Sequence, residues 1–491
     1  MSERLIYLKE KNSKGYFAFV RENNIKINLQ IKTGKLAEQT NKNLIKRLNK
    51  TKIKNDSHNI NFMILLSIIY LSMFIQIYTS KKSELRGLQY ENYIIITIEE
   101  KGLQTIINEG FDPSSIQING GGEIISPGVL SCELTLETNE IKIKWNSPLT
   151  SCNNMFKNLK NITKIDLRNF DFSLVNSIDS FFEGCTSLTS IDLSNKEAPN
   201  VVYMRYMFKG CISLDNANFS NFIVNKLQDM TEMFLDCGNI TSIDLSSFQT
   251  PELLFLSRAF QGCTSLTYIN LDKLITSKVT SMQGMFSNYK SLVTVNLTNF
   301  RTESVQYMHQ MFDQCNSLKY LDLSSFKTPS LLNMYAMFFY NEQLEYLDMS
   351  NFNTTLVTNM GQVFDQCHSL KYLNISNFYT PSATNMWHLF YNCYALEYLD
   401  ISNFDTSHIT QMDNLFQDCR SLKYLDLKSF NTSSVETMES MFIGCKNLEY
   451  VDLSSFNTEN VKKMNHMFRS CNKITSLDLI LFFYSKIGNY A

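Results

Sequence analysis

A phenylalanine recurs at one constant interval through about two thirds of the chain, and this period constrains the fold more than any other feature of the sequence. No residue is inserted or deleted between successive copies, whose phenylalanines stand at positions 156, 182, 208, 234, 260, 286, 312, 338, 364, 390, 416, 442 and 468. A period in the twenties is typical of a solenoid, in which each repeat stacks on its neighbours. An insertion in one copy would displace every stacked side chain, so the constant spacing predicts such a stack.

Burial explains why one copy cannot fold alone. The copy at residues 312–337 reads FDQCNSLKYLDLSSFKTPSLLNMYAM, and its neighbours refill its apolar positions in kind. Burying such side chains contributes about 1.5–3 kcal/mol each, while ordering the chain costs about 1.5 kcal/mol per residue. The free energy from burying roughly nine apolar side chains per copy is therefore smaller than the free-energy cost of ordering the whole copy. Stacked copies share one continuous core and stabilise each other.

Two spacings within each copy predict its local structure. Leu318, Leu321 and Leu323 follow the strand pattern of a leucine-rich repeat, so Leu321 and Leu323 should point into the core and Tyr320 outward. The later apolar residues, Leu331 to Phe338, follow at steps of three and four, which is typical of a short helix. We therefore expect an α/β fold: a curved leucine-rich-repeat solenoid of 26-residue coils, with a parallel β-sheet on one face and short helices on the other.

The repeat resembles a known family. The run M-F-x-x-C-x-x-L-x-x-L-D-L-S-x-F-x-T-x-x-V-x-x-M-x-x-M-F is similar to the BspA-like leucine-rich repeat surface proteins of bacteria and protists. Phe326 stands where ordinary leucine-rich repeats carry Asn or Cys, which disfavours the other classes of that repeat. The resemblance covers about residues 150–482 and implies display at the cell surface with adhesion or ligand binding.

The N-terminal segment differs in charge from the rest of the chain. Residues 1–60 hold fourteen Lys or Arg against five Asp or Glu, a balance of +9 within a chain whose net charge is −2. Residues 60–78 then carry no formal charge over nineteen positions, a length that can span a bilayer. The basic flank precedes this run, which predicts a cytoplasmic N-terminus and a single-pass plasma-membrane protein with extracellular repeats.

Two alternatives to this transmembrane helix at residues 60–78 stay open. The run could be a signal peptide of a protein starting at Met63, or a buried segment of an intracellular scaffold. The predicted organisation is a basic tail at 1–59, the anchor at 60–78, a β-rich cap at 79–147, about thirteen coils at 148–482 and a tail at 483–491. The apolar residues from 477 to the end predict an exposed apolar patch.

The cysteines and histidines do not predict chemistry. Ten of the twelve cysteines occupy one position of the repeat, where Leu159, Tyr289 and Asn341 stand in other copies, which indicates a buried space-filling residue. Cys132 and Cys152 lie outside this set and could be bridged or free. The six histidines show no metal-ligand or catalytic spacing. We expect no enzyme activity, no cofactor, no metal site and no nucleic-acid binding.

The outward side of the predicted strands carries the candidate site. One position is tyrosine in six successive copies, and the position two residues later is mostly aspartate. The candidate partner-binding residues are Tyr320, Tyr346, Tyr372, Tyr398, Tyr424, Tyr450, Asp322, Asp348, Asp400, Asp426 and Asp452. Such a set either stabilises the sheet through cross-strand pairs or forms a contact surface for a protein or glycan. The predicted function is a membrane-anchored, non-catalytic surface protein for adhesion or recognition; an intracellular scaffold is the alternative.

Overall fold

The computed structural model describes residues 5–12, 15–22, 25–32, 92–124, 130–475 and 477. The chain divides into two compact units, Met1–Gln89 and Tyr90–Ala491. In the first unit, strands β1 (Leu5–Asn12), β2 (Gly15–Glu22) and β3 (Ile25–Lys32) form an antiparallel sheet in that order. These strands lie inside the segment that the sequence predicted as a basic tail.

The second unit is built from short strands that follow one another along the chain. Its first five strands are β4 (Asn92–Ile98), β5 (Gly102–Thr105), β6 (Ser115–Ile118), β7 (Ser131–Leu134) and β8 (Asn139–Trp145). The repeats supply β9 (Ile162–Asp166), β10 (Ser190–Asp192), β11 (Asn216–Asn218), β12 (Ser242–Asp244), β13 (Tyr268–Asn270), β14 (Tyr346–Asp348), β15 (Tyr372–Asn374), β16 (Tyr424–Asp426) and β17 (Tyr450–Asp452).

Strand β4 joins the residues before the repeats to the first coil. It pairs antiparallel with β8 on one side and with β9 on the other, within a sheet of order β13-β12-β11-β10-β9-β4-β8-β6. Ile94, Ile96 and Ile98 alternate along β4 and are fully buried. The end of the repeat core is thus covered by β-structure, which an open solenoid requires.

On one side of each coil the strands stack in parallel, and each residue lies opposite its equivalent in the next coil. Ser190, for example, pairs with Lys164 in one neighbour and Asn216 in the other. The orientation within a strand is as predicted, because Leu321 and Leu323 are buried while Tyr320 is 59% exposed. The ladder is interrupted, since the stretches 294–296 and 398–400 form no strand and Tyr320 makes only a single bridge to Tyr346.

The predicted helices on the other side of each coil are wrong, because no described residue lies in a helix. The N–H groups of three alternate residues instead donate to carbonyl oxygens of the next coil, in the pairs Gln310 to Tyr335, Phe312 to Met337 and Gln314 to Phe339. The intervening residues Met311 and Asp313 donate to the carbonyls of Met308 and Gln310 in their own coil. An α-helix would direct every N–H to the residue four back and leave none to join the coils.

Left-handed residues explain how the chain makes these turns. Gln310 and Gln314 have φ of 58° and 57°, and the equivalent pair recurs in every described coil. Such residues cannot continue a right-handed helix. Glycine occupies the second position of the pair in four coils, at Gly184, Gly210, Gly262 and Gly444. The repeats therefore form a β-solenoid of strands and stacked turns, which corrects the predicted α/β solenoid with a helical face.

Stacked side chains fill the interior between the two sides. Phe312 and Phe338 lie with ring centroids 5.6 Å apart and planes within 3°, and the same phenylalanine position stacks throughout the repeats. Behind the rings, Cys393 Sγ donates to the carbonyl oxygen of Phe364 at 3.2 Å, a contact that the cysteine position repeats. Asn341 Nδ2 replaces that donor at 2.7 Å from the oxygen of Phe312. The cysteines are buried fillers, as predicted, and also hydrogen-bond donors.

The predicted membrane anchor at residues 60–78 and the apolar C-terminal patch lie outside the described residues, apart from residue 477. Among the residues that the structure describes, no helix is long and apolar enough to cross a bilayer. The prediction of a single-pass plasma-membrane protein, with residues 1–59 cytoplasmic and the repeats extracellular, is corrected by this finding and is not retained.

Candidate functional site

The six tyrosines of the predicted site form one exposed row on the strand side, which we call the tyrosine column. Their exposed fractions run from 43% at Tyr346 to 71% at Tyr398. Tyr346 and Tyr372 stack face to face, with ring centroids 4.5 Å apart and planes within 4°. The column thus presents flat aromatic surface to solvent.

Two phenol groups at the C-terminal end of the column are tied to carboxylates. Tyr424 donates its hydroxyl to Glu449 Oε2 at 3.1 Å, and this hydrogen bond raises the pKa of Tyr424. Tyr450 donates to Asp452 Oδ2 at 3.2 Å, and the charge of that carboxylate raises the pKa of Tyr450. Within the described chain, the other four hydroxyls of the column donate to no carboxylate in this way.

The aspartates of the predicted site serve the backbone. Asp322 Oδ1 accepts the N–H of Ser324 at 2.9 Å, and the hydrogen bonds from Ser324 hold the pKa of Asp322 below its usual range. The same acceptor role, two residues before the donor, belongs to Asp348, Asp400, Asp426 and Asp452. Coils that lack the tyrosine make the same hydrogen bond, as Asp166 does with the N–H of Arg168. In these coils one carboxylate oxygen fixes the turn after the strand, and Asn218, Asn270 and Asn374 do so with an amide oxygen. This role explains the acid without a ligand.

The residue before each tyrosine of the column alternates between Lys and Glu, at Lys319, Glu345, Lys371, Glu397, Lys423 and Glu449. Lys371 Nζ lies 3.3 Å from Glu345 Oε2. In the described part of the chain no second ion pair joins members of this alternating set. The Lys/Glu alternation consequently contributes little to holding the strands together, since exposed pairs are worth about 0–1 kcal/mol.

A cavity of about 360 Å³ opens on the strand side between two coils. Tyr320 and Tyr346 line it together with Asp322, Asp348 and Asn351. It lies where the strand pairing is reduced to the bridge between the two tyrosines. The structure therefore brings two of the predicted tyrosines and two of the predicted aspartates to one recess.

The other candidate groups are separate from this recess. Cys132 and Cys152 are both free and buried, and burial raises the pKa of each thiol. Over the described ranges, no group of three or more His, Cys, Asp or Glu is arranged to hold a metal ion.

Sequence reasoning missed a buried threonine at the corner between the two sides of each coil. Thr432 Oγ1 donates to the carbonyl oxygen of Asn457 at 2.9 Å and accepts its N–H at 2.7 Å. The buried threonines that repeat this position run from Thr250 to Thr458. The F-x-T element of the repeat could have indicated this threonine. A hydroxyl group both donates and accepts hydrogen bonds, so it can bond the backbone C=O and N–H of the next coil where no strand does so.

Comparison with known proteins places the repeats in a family. A family model described as "Mycoplasma protein of unknown function, DUF285" matches residues 150–254, 254–370, 321–398 and 384–479. No curated protein matches the chain.

Among solved structures, the "Crystal structure of TLR13-ssRNA13 complex" matches with 13% sequence identity and a TM-score of 0.21. The match covers 67% of this chain and 65% of the TLR13 chain, so this chain spans less than two thirds of the length of that solved structure. A similarity at this level is too low to transfer a fold or a function. The family match, in contrast, extends over more than half of the residues, and the chain therefore belongs to the Mycoplasma family of unknown function, DUF285.

Proposed function

We propose that this protein is a non-catalytic recognition protein that binds a protein or glycan partner through the tyrosine column. The observation that carries the proposal is the row of six exposed tyrosines, 43–71% accessible, beside a recess of about 360 Å³. Packing does not require an aromatic ring at this outward position, because the first coils hold Lys164, Ser190 and Asn216 there.

Tyrosine suits such a surface for a physical reason. It offers a large, rigid contact area and loses little side-chain entropy on binding, and its hydroxyl hydrogen-bonds a polar partner. Tyr346 and Tyr372 already stack in the free protein, so less ordering is needed when a partner docks. The second oxygens of Asp322 and Asp348 supply acceptors at the recess.

The resemblance of the repeat to BspA-like surface proteins supports the finer proposal of adhesion or recognition of a partner molecule. A stacked array of coils is a rigid frame, because each coil is held by its neighbours. A row of identical side chains on this frame suits a partner that is itself extended or repetitive, such as a glycan or an extended protein segment.

The test replaces Tyr346, Tyr372, Tyr398 and Tyr424 with serine in the full chain. The purified variant and the wild type are applied to a glycan array and to immobilised extracellular-matrix proteins. We expect wild-type binding to at least one of these probes and a loss of at least tenfold in the variant. Circular dichroism and thermal unfolding establish that the variant is folded.

A control variant changes exposed tyrosines outside the column, Tyr203, Tyr307 and Tyr379, which are 40–51% accessible. It should bind like the wild type. Equal binding by the column variant, or equal losses in both variants, would contradict the proposal.

A further inference from the structure

A second surface is formed by the outward side chains of the stacked turns, which we call the turn face. In the coil of Phe364 it consists of the positions of Gly361, Gln362 and Asp365, whose equivalents in other coils are covered by their neighbours to different degrees. These positions differ from coil to coil, whereas the inward positions repeat. Across successive coils, the position of Asp365 holds basic, acidic, aliphatic and aromatic residues, such as Lys209, Asp313, Leu235 and Tyr391.

In the N-terminal coils the turn face neutralises its own acids. Asp179 Oδ2 lies 2.6 Å from the Arg205 guanidinium of the next coil. The Glu232 carboxylate forms ion pairs with Lys209 Nζ at 2.7 Å and with Arg258 Nη1 at 3.4 Å, one from each neighbouring coil. Both carboxylates therefore have a basic partner about one coil away.

Asp365, in the middle coils, is built differently. Its side chain is buried, with 1% exposure, and its Oδ2 accepts Gln362 Nε2 at 3.0 Å and His388 Nδ1 at 3.3 Å. On its other side, the His388 ring places Nε2 at 3.0 Å from Asn414 Nδ2. Asp365 Oδ1 has no partner. Among the described residues, Asp365 forms an ion pair with no Lys or Arg, and its basic neighbour is His388 at 3.3 Å.

Asp313 repeats this arrangement two coils earlier. It is 4% exposed, Ser287 Oγ donates to its Oδ2 at 3.1 Å, and its Oδ1 has no partner. Among the described residues no Lys or Arg forms an ion pair with it. A buried carboxylate oxygen without a partner is costly in the free protein and is satisfied when a ligand donates to it.

Aromatic rings flank Asp365 at the repeat position that Arg205 holds in the N-terminal coils. Trp387 stands where Arg205 stands in its coil, and it lies over Gly361, whose missing Cβ would come within 2.9 Å of Trp387 Nε1. Tyr335 lies 6.5 Å from Trp387, centroid to centroid, and its hydroxyl donates to Gln362 Oε1. Trp387 and Tyr335 are half-buried and so keep ring surface open to solvent. Aromatic faces of this kind attract cations.

We propose that the middle of the turn face binds the guanidinium or ammonium groups of a partner protein, with Asp365 and Asp313 as anions and Trp387 and Tyr335 as aromatic walls. The partner supplies the positive charge that the N-terminal coils supply from their own side chains. Entry to Asp365 requires rotation of Gln362, a half-buried side chain held by its bonds to Tyr335 and Asp365.

The spacing of the two acids specifies the partner further. Asp313 and Asp365 are two coils apart, or about 10 Å at the usual separation of paired strands. A segment in the polyproline II conformation advances about 3.1 Å per residue and returns its side chains to the same face every third residue. Two basic side chains three residues apart on such a segment therefore match the two acids.

The test titrates the full chain with the peptide acetyl-Ala-Arg-Ala-Ala-Arg-Ala-amide and measures binding by calorimetry and by tryptophan fluorescence. We expect binding that changes the fluorescence of the wild type, with a much smaller change in Trp387→Phe. Asp365→Asn should weaken binding at least tenfold. Asp179→Asn, which removes the same charge from the N-terminal ion pairs, should leave the affinity within twofold of the wild type.

Several outcomes would overturn the proposal: no binding of the arginine peptide, equal binding of a glutamine analogue, or equal weakening by Asp179→Asn and Asp365→Asn. Competition by a neutral oligosaccharide such as maltohexaose would also overturn it and would indicate a sugar site. Asp365→Asn keeps the side-chain shape and removes a buried charge, so we expect it to fold, as circular dichroism will check. The serine variant of the tyrosine column should bind the peptide like the wild type, which separates this test from that of the proposed function.

Discussion

The strand side and the turn side of the solenoid differ in continuity, and the irregular-looking side is the continuous one. Eleven successive parallel bridges on the turn side join equivalent residues of neighbouring coils, from Ser177–Tyr203 to Thr437–Lys463. The strand side breaks at 294–296 and again at 398–400. The turn side therefore provides the continuous backbone pairing between coils. The strand side has less of this pairing to maintain, so its outward side chains are less constrained.

The two sides also differ in what repeats. On the strand side an outward residue, tyrosine, is kept in six successive coils. On the turn side only inward residues are kept, and the outward ones change from ion pairs to aromatic rings. The two proposed binding surfaces therefore differ, because the tyrosine column relies on repetition and the turn face relies on variation.

The largest test of this comparison replaces one aromatic residue on each side. Phe364→Ala removes a fully buried ring of the turn-side stack, and we expect a loss of about 3–5 kcal/mol in the free energy of unfolding. Tyr372→Ser removes a ring that is 48% exposed and should cost less than about 1 kcal/mol. Urea unfolding of both variants measures the difference. Similar losses in the two would show that the strand side carries as much of the stability.

The two sides should also respond oppositely to pH. Burial raises the pKa of Asp313 on the turn side to about 6. Since the folded protein holds this proton more tightly than the unfolded chain, the stability is fully present below about pH 4 and is lost as the pH rises through about 6. Asp313→Asn should remove this dependence and stabilise the protein at pH 7 by about 3 kcal/mol.

Asp322 on the strand side has the opposite sign. Hydrogen bonds from Ser324 lower its pKa, so its contribution is present at neutral pH and is lost as the pH falls below about 4. Asp322→Asn should therefore affect only the acid limb of a plot of stability against pH. A plot that changes in the same direction for both variants would contradict this assignment.

The corner between the two sides offers a smaller test. Thr432→Val keeps the shape of the side chain but removes its two hydrogen bonds to Asn457, which leaves a partly buried N–H and C=O without these partners. We expect a loss of about 1–3 kcal/mol in the free energy of unfolding. Thr432→Ser keeps the hydroxyl and should recover most of it. A serine variant as unstable as the valine variant would point to packing of the methyl group instead.

The smallest expected effect concerns the turn after a strand. Asp426→Ala removes the acceptor for the N–H of Lys428 and should destabilise the protein by about 1 kcal/mol. Asp426→Asn keeps an acceptor oxygen and should be close to wild type in thermal unfolding. If both variants lose the same stability, the negative charge of Asp426 stabilises the protein and its hydrogen bond to the turn does not.

Much of the fold was predictable from the sequence because the period is strict. A repeat of constant length without insertions fixes which residues stack, and the alternation of Leu321 and Leu323 with Tyr320 fixes which side chains face the core. The tyrosine column could be predicted as exposed for the same reason. The turn role of the aspartates could not be separated from a ligand role, since Asp322 has the same sequence signature in both.

The tertiary structure decided what the local spacing left open. Met308, Met311 and Phe312 follow at steps of three and four in a helix and equally in two consecutive turns. The difference lies in where the N–H of Gln310 donates, to its own coil or to Tyr335 of the next. The sequence by itself determined the stacking register and the buried side chains, because both depend on periodicity. The structure alone determined the hydrogen-bond partners, such as His388 for Asp365, because those depend on a neighbouring coil that no local pattern contains.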